Sequence, residues 1–171
     1  EALVHYFKTV DQDELLFAVA LLIGNKPKRA FKTTILREWC SEISGIPLWM
    51  VEDSYYVVGD LGETLALLIP KHENTSSNKT LRDYFNDLTE AKNWDESEQK
   101  DYVLTHWNQL SDTDLFIFNK LITGNFRVGV SKTLVVRALA QYLNQETSTI
   151  AHLIIGKWDP LQTSFDYLFN E

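Results

Sequence analysis

Gly124 and Gly129 are the first residues whose spacing could do chemistry. They match the glycine frame of the phosphate-binding loop G-x-x-x-x-G-K-[ST]. There a lysine follows the second glycine, holds the terminal phosphates, and the loop leaves a strand. Here Val130 stands in the lysine position and the preceding run has a helical period, so no nucleotide is expected at this turn. The other reactive side chains form no set. His5, His72, His106 and His152 are scattered, and none has a second metal ligand at helical spacing. His106 and His152 read as helix-edge or hydrogen-bonded core residues. Cys40 is the single cysteine, which excludes an internal disulfide and a cysteine-based zinc site. It reads as a small buried apolar residue. Carboxylates are plentiful, as in WDESEQKD (94–101), but they fall at helix starts and in polar loops. No pair is set apart for acid–base work.

Charge distribution is more informative. The chain carries a net charge of −8, yet residues 24–37 hold Lys26, Lys28, Arg29, Lys32 and Arg37 with no acid. Residues 115–145 hold Lys120, Arg127, Lys132 and Arg137, again with none, and all 24 acidic residues lie elsewhere. Such polarisation suits a basic face on an acidic body, although solvated helix surfaces can carry the same clusters. In LITGNFRVGVSKT (121–133), Gly124 stands where a left-handed residue closes a helix, and Ser131 stands where a hydroxyl caps the next one. Free N–H groups at that second helix start, with Lys132 in its first turn, attract phosphate. Gly129 leaves room for a ligand backbone. Arg127 can reach a phosphate or a minor groove. Phe126 and Val128 are expected to point inward, with a minor-groove wedge as the alternative for Phe126. A plain helix hairpin, packed through its glycines, is the competing reading of the whole turn. In GNKPKRAFKTT (24–34) the chain leaves a helix at Gly24, turns at Pro27 and enters another near Arg29. Lys26 and Lys28 then lie in the loop, with Arg29 and Lys32 in the first helical turn. Positive charge there opposes the helix dipole unless an anion is bound. Thr33 and Thr34 could add hydroxyl contacts.

The elements that must hold these turns are helices. With 171 residues, 44% of them hydrophobic and 12% aromatic, the chain can bury the core of one domain or a tight pair. Leu15, Leu16, Val19, Leu22 and Ile23 share one helical face, as do Val103, Trp107 and Leu110. Leu115, Phe118, Leu121 and Ile122 repeat the pattern, and Val135, Ala138, Leu139 and Tyr142 repeat it again. Asp11, Thr80, Asp95 and Ser111 each precede an acid by three residues, the spacing of a capping box. SYYVV (54–58) is the only β-rich patch. The expected fold is all-α, with roughly ten helices in two halves. The polar stretch KHENTSSNKT (71–80) is expected to be a mobile loop between an N-terminal and a C-terminal half, so the basic segments would have to meet across it. The five tryptophans read as core. LLFAVALLI (15–23) is too short to span a bilayer. No secretion signal is seen, so NTS (74–76) and NKT (78–80) are not expected to carry glycans. Opening on Glu1 rather than methionine is expected of a piece of a longer protein.

The run FNKLITGNFRVGVSKTLVVRALA (118–140) resembles the signature turn of the N-terminal DNA-binding domain of ATP-dependent DNA ligases. That turn reads approximately G-x-[FL]-R-[VI]-G-[LV] and is followed by a helix. LLIGNKPKRAFKTTILREWCSEISGIPLW (21–49) and VEDSYYVVGDLGETLALL (51–68) resemble it further, in the right order. Together they are most similar to the bacterial ligases of this type. The resemblance implies one all-helical domain over 1–171 that grips double-stranded DNA across the minor groove, largely without regard to sequence. It implies that Gly124, Asn125, Arg127 and Gly129 face the phosphate backbone, with Lys26, Lys28, Arg29 and Lys32 as a second cluster. Ser131 and Lys132 join them from helix geometry. Such ligases form a lysyl-adenylate at a K-x-D-G motif in the next domain. The nearest string here, KWDP (157–160), has proline in place of glycine. No cofactor is therefore expected in this chain, with ATP and magnesium assigned to a separate catalytic domain. The expected partners are nicked duplex DNA and the ligase's own catalytic domains. The expected state is a monomer, cytoplasmic and nucleoid-associated, with no membrane. The rival expectation is an all-helical protein–protein interaction module whose acidic surface binds a basic partner.

Overall fold

A computed structural model describes residues 1–71, 78–126 and 129–169. Among the described residues it contains eleven α-helices and no strand. They are α1 (Ala2–Thr9), α2 (Gln12–Ile23), α3 (Thr33–Ser44), α4 (Leu48–Val58), α5 (Leu61–Leu68) and α6 (Leu81–Glu90). Then follow α7 (Glu96–Gln109), α8 (Asp112–Thr123), α9 (Lys132–Leu143), α10 (Thr147–Leu153) and α11 (Phe165–Phe169). SYYVV lies inside α4, so helical context overrides its local β preference. The helices fall into two compact units, which are interleaved along the chain rather than divided at the polar stretch. One comprises Glu1–Lys26, Thr80–Asn86 and Arg127–Glu171; the other comprises Pro27–Lys79 and Asp87–Phe126. Of the stretch expected to be a mobile loop, residues 72–77 lie outside the described residues. No helix among the described residues is long and apolar enough to cross a membrane.

The first unit is organised around α9, which packs on α1, α2 and α10, while α11 packs on α2 and α10. Its core joins Phe7 of α1, Leu15, Leu16 and Val19 of α2, Val135 and Leu139 of α9, and Ile150, Ile154, Phe165 and Phe169. The expected stripe of α2 is there, but burial extends over Leu15–Leu21 without a break. Asp11 caps α2 by accepting from the Glu14 N–H at 2.9 Å. Glu14 does not return to Asp11. Its carboxylate accepts from the Leu81 N–H at 2.9 Å and the Arg82 N–H at 3.4 Å, at the start of α6. Acid at a helix start satisfies free donors and complements the dipole. Arg82 in turn pairs with Asp13 at 3.0 Å and lies over the Phe17 ring.

The second unit packs α3, α4 and α5 together and sets α5 against α8. Asp95 and Glu98 form the full capping box of α7, while in the first unit Thr80 and Asp83 exchange the same pair of bonds at the start of α6. Ser111 is the exception: its side chain does not cap α8, and Asp112 takes a positive φ of 44° there. Trp39 and Trp107 are buried and Trp94 and Trp158 half-buried, but Trp49 is exposed, against expectation. The α5–α8 crossing is close because Gly62 has no side chain. A Cβ there would stand 3.2 Å from the Lys120 backbone nitrogen and 3.3 Å from the Asn119 carbonyl carbon. Gly62→Ala should therefore destabilise the protein in urea denaturation. Overpacking costs about 1–3 kcal/mol, against a gain in helix propensity of about 1 kcal/mol at most.

Candidate nucleic-acid interface

The glycine turn begins as its sequence requires. Gly124 ends α8 with φ 70°, and its N–H donates to the Leu121 carbonyl at 3.1 Å. A side chain at this position would be strained by the backbone alone. It would also be crowded, because a Cβ on Gly124 would stand 3.2 Å from the Arg29 Cβ and 3.5 Å from its Cγ. The two basic segments therefore touch within the second unit, with the Arg29 stem laid over the glycine at the end of α8. Arg29 itself is exposed, as are Lys28 and Lys32.

The first basic segment corrects the sequence expectation in one respect. The helix starts at Thr33, so Arg29 precedes it and Lys32 is its N-cap residue. A lysine cannot accept hydrogen bonds, and no side chain caps α3. Its first turn also lacks acid, as do those of α1, α4, α9 and α10, whereas α2, α5, α6, α7, α8 and α11 each carry acid there. Pro27 in the turn and exposed Lys28 precede Arg29. Lys26 is half-buried and belongs to the first unit.

Asn125 is tied down by an acid that sequence reasoning did not single out. Its Nδ2 donates to Asp60 Oδ2 at 3.2 Å, and Lys120 Nζ donates to the same oxygen at 2.6 Å. Asp60 Oδ1 meanwhile caps α5 by accepting from the Glu63 N–H at 2.9 Å. Burial alone would raise the Asp60 carboxyl. The hydrogen bonds from Lys120 and the Glu63 N–H outweigh it and hold the group below its ordinary value. One carboxylate thus starts α5, anchors α8 and holds the first residues of the turn. The only sequence signal was an aspartate before the first apolar residue of α5.

Lys120 is buried, so it adds nothing to a basic surface. Arg37 faces α4, paired with Glu52 at 3.8 Å and placed over the Tyr55 ring. Two of the basic-segment charges are therefore spent inside the second unit. Lys28, Arg29 and Lys32 have no ion pair among the described residues, while Lys71, Lys79, Arg82 and Lys100 are all matched with acids. Phe126 is half-buried. Arg127 and Val128, with the roles expected of them, lie outside the described residues.

In the first unit the turn resumes at Gly129, exposed and with φ 72°; a Cβ there would meet nothing within 4 Å. Here glycine answers a backbone requirement, and the space beside it is open. Ser131 caps α9 as expected, accepting from the Leu134 N–H at 3.3 Å. Lys132 opens the helix and is exposed.

No group of three or more metal-ligating side chains occurs among the described residues. Cys40 is buried and accordingly pushed up to about 11. His106 is buried against Phe118, donating from Nδ1 to the Tyr102 carbonyl at 2.8 Å, and burial lowers its pKa. His5 and His152 are exposed, and His72 lies outside the described residues.

The described residues form an all-helical fold, and neither basic segment carries an acid of its own. The family model for the DNA ligase N terminus matches residues 1–140. The chain belongs to this family, the N-terminal domain of ATP-dependent DNA ligases. Among curated proteins, none matches the chain.

Proposed function

We propose that this chain is the DNA-binding domain of a bacterial-type ATP-dependent DNA ligase, and that it grips nicked duplex DNA through phosphate and minor-groove contacts. The observation that carries the reading is the seat of Arg29 on Gly124. It brings Arg29 of the first basic segment, with exposed Lys28 and Lys32 near it in sequence, against the glycine that opens the second. Lys28, Arg29 and Lys32 supply charge, and the uncapped α3 start supplies N–H donors for phosphate oxygens. Gly129, Ser131 and Lys132, which lie in the first unit, and Arg127 are assigned phosphate contacts of their own. These contacts are with the backbone, so they position the duplex without reading its sequence. Adenylation and sealing, with their ATP and magnesium, belong to the ligase's catalytic domains. The chain serves DNA repair, replication and recombination through them.

The test is binding to nicked and intact duplexes at two salt concentrations. With about four cations on phosphates, log K should fall against log salt with a slope of about −4. Arg127→Ala should weaken duplex binding about fivefold at physiological salt, one phosphate contact's worth, while leaving the urea midpoint unchanged. A salt-independent affinity would remove the reading, and an Arg127→Ala variant that binds as tightly as wild type would remove that residue from it. Incubation with labelled ATP should leave the chain unlabelled.

A further inference from the structure

Helix α4 breaks a general expectation. A helix that is apolar on most of its circumference is normally buried. Of LWMVEDSYYVV only Val51 is buried. Trp49 is 61% exposed, Tyr56 91% and Val57 87%, and on α5 Leu67 is 64% exposed. Trp49, Met50, Val57, Leu67 and Leu68 line a groove of about 380 Å³ between the two helices. Its hydroxyls are already spent: Ser54 Oγ donates to the Met50 carbonyl at 2.8 Å and Thr64 Oγ1 to the Asp60 carbonyl at 2.7 Å. That leaves the exposed Asp53 carboxylate as the groove's outward-facing polar group. Exposed Glu63 stands beside Leu67 on the adjoining surface, where Lys71 and Asp112 pair with each other at 3.4 Å. Neither acid has an ion pair among the described residues, and no lysine or arginine lines the groove.

We propose that this groove docks an amphipathic helical segment of another protein, apolar on one face and flanked by lysine or arginine. Tryptophan and methionine on an exposed helix pair are the side chains that anchor helix-in-groove complexes. The groove accepts a few large side chains while the incoming helix lies on the surface. The acidic rim chooses the flanking charge, since like charges across an interface are excluded. Nucleic acid fails on both counts: its phosphates would meet Asp53 and Glu63, and its backbone cannot fill an apolar floor. A second copy of this chain fails on the rim, because a two-fold contact brings each acidic edge against its own equivalent. This surface is independent of the DNA-binding reading and uses none of its residues.

The test uses fluorescence anisotropy with three labelled synthetic peptides of about four helical turns. The first has leucine at i, i+3, i+4 and i+7 with lysine elsewhere, the second is its scramble, and the third replaces lysine by glutamate. The first should bind, and the others at least about 10-fold more weakly. Val57→Lys should weaken the first peptide about 10-fold and Asp53→Asn about threefold, both with unchanged thermal midpoints because both side chains are exposed. Equal binding of the scramble would reduce the effect to net charge and overturn the proposal. So would a Val57→Lys variant that binds like wild type. A wild-type dimer in sedimentation, dissociated by Val57→Lys, would show self-association instead and equally overturn it.

Discussion

Asp60→Asn is expected to lower the unfolding free energy by about 3 kcal/mol at neutral pH, the cost of stranding a buried charge. The stranded charge is Lys120, whose side chain is 4% exposed and whose Nζ sits 2.6 Å from the Asp60 carboxylate. Asparagine can still cap α5 and still accept a hydrogen bond, so the loss reports the missing counter-charge. Lys120→Met should cost less, about 1–2 kcal/mol, because Asp60 keeps some solvent access and its bonds from Asn125 and the Glu63 N–H. The double variant should recover most of the loss, since removing both charges together avoids the uncompensated one. The dependence on pH follows from the direction of the Asp60 shift. Its folded pKa lies below the unfolded value, so its contribution is complete above the ordinary carboxyl pKa of about 3.9. It is lost as pH falls through the folded value. The gap between wild type and Asp60→Asn in urea midpoint should therefore be widest at neutral pH and close in acid. A gap that stays constant into acid would place the stabilisation elsewhere.

The triple variant Lys28→Ala, Arg29→Ala, Lys32→Ala should bind duplex DNA about 100-fold more weakly at physiological salt. Each phosphate contact adds about 0.9 to the salt slope, which at 0.15 M is worth about 0.7 log units, so three add about two. The slope itself should fall from about −4 towards −1. Stability should hardly move, because all three side chains are exposed and none has an ion pair among the described residues. Two measurements thus separate recognition from folding: a salt titration that collapses and a denaturation curve that does not. An unchanged slope would show that the patch on the second unit does not carry the phosphates.

Much of the architecture was legible in the sequence because it depends on near neighbours. Gly124 after Thr123 and Ser131 before Lys132 are end signals that act within one turn of backbone. Both behave as the chain chemistry requires. The core stripe Val135, Leu139 was equally local. What sequence could not supply was pairing at a distance. Lys120 looked like a member of a basic surface, and only its burial opposite Asp60, sixty residues away, takes it out. Glu14 looked like the second half of a capping box on α2, but it serves the start of α6 instead. The start of α3 was misplaced by four residues because Pro27 and Arg29 resemble a helix entrance. The exposure of Trp49 was invisible because apolar composition says nothing about whether a neighbour arrives to cover it.

The interleaving of the two units has a consequence for biosynthesis. As the nascent chain leaves the ribosome, α1 and α2 emerge before α9 and α11, which pack on them. Every segment of the other unit is complete by Phe126. Leu15, Leu16 and Val19 must therefore wait for Val135 and Leu139 while the other unit is translated, whereas Phe17 meets Phe85 earlier. Release at Ala140, where the family match ends, would leave α1 and α2 without Ile150, Ile154, Phe165 and Phe169.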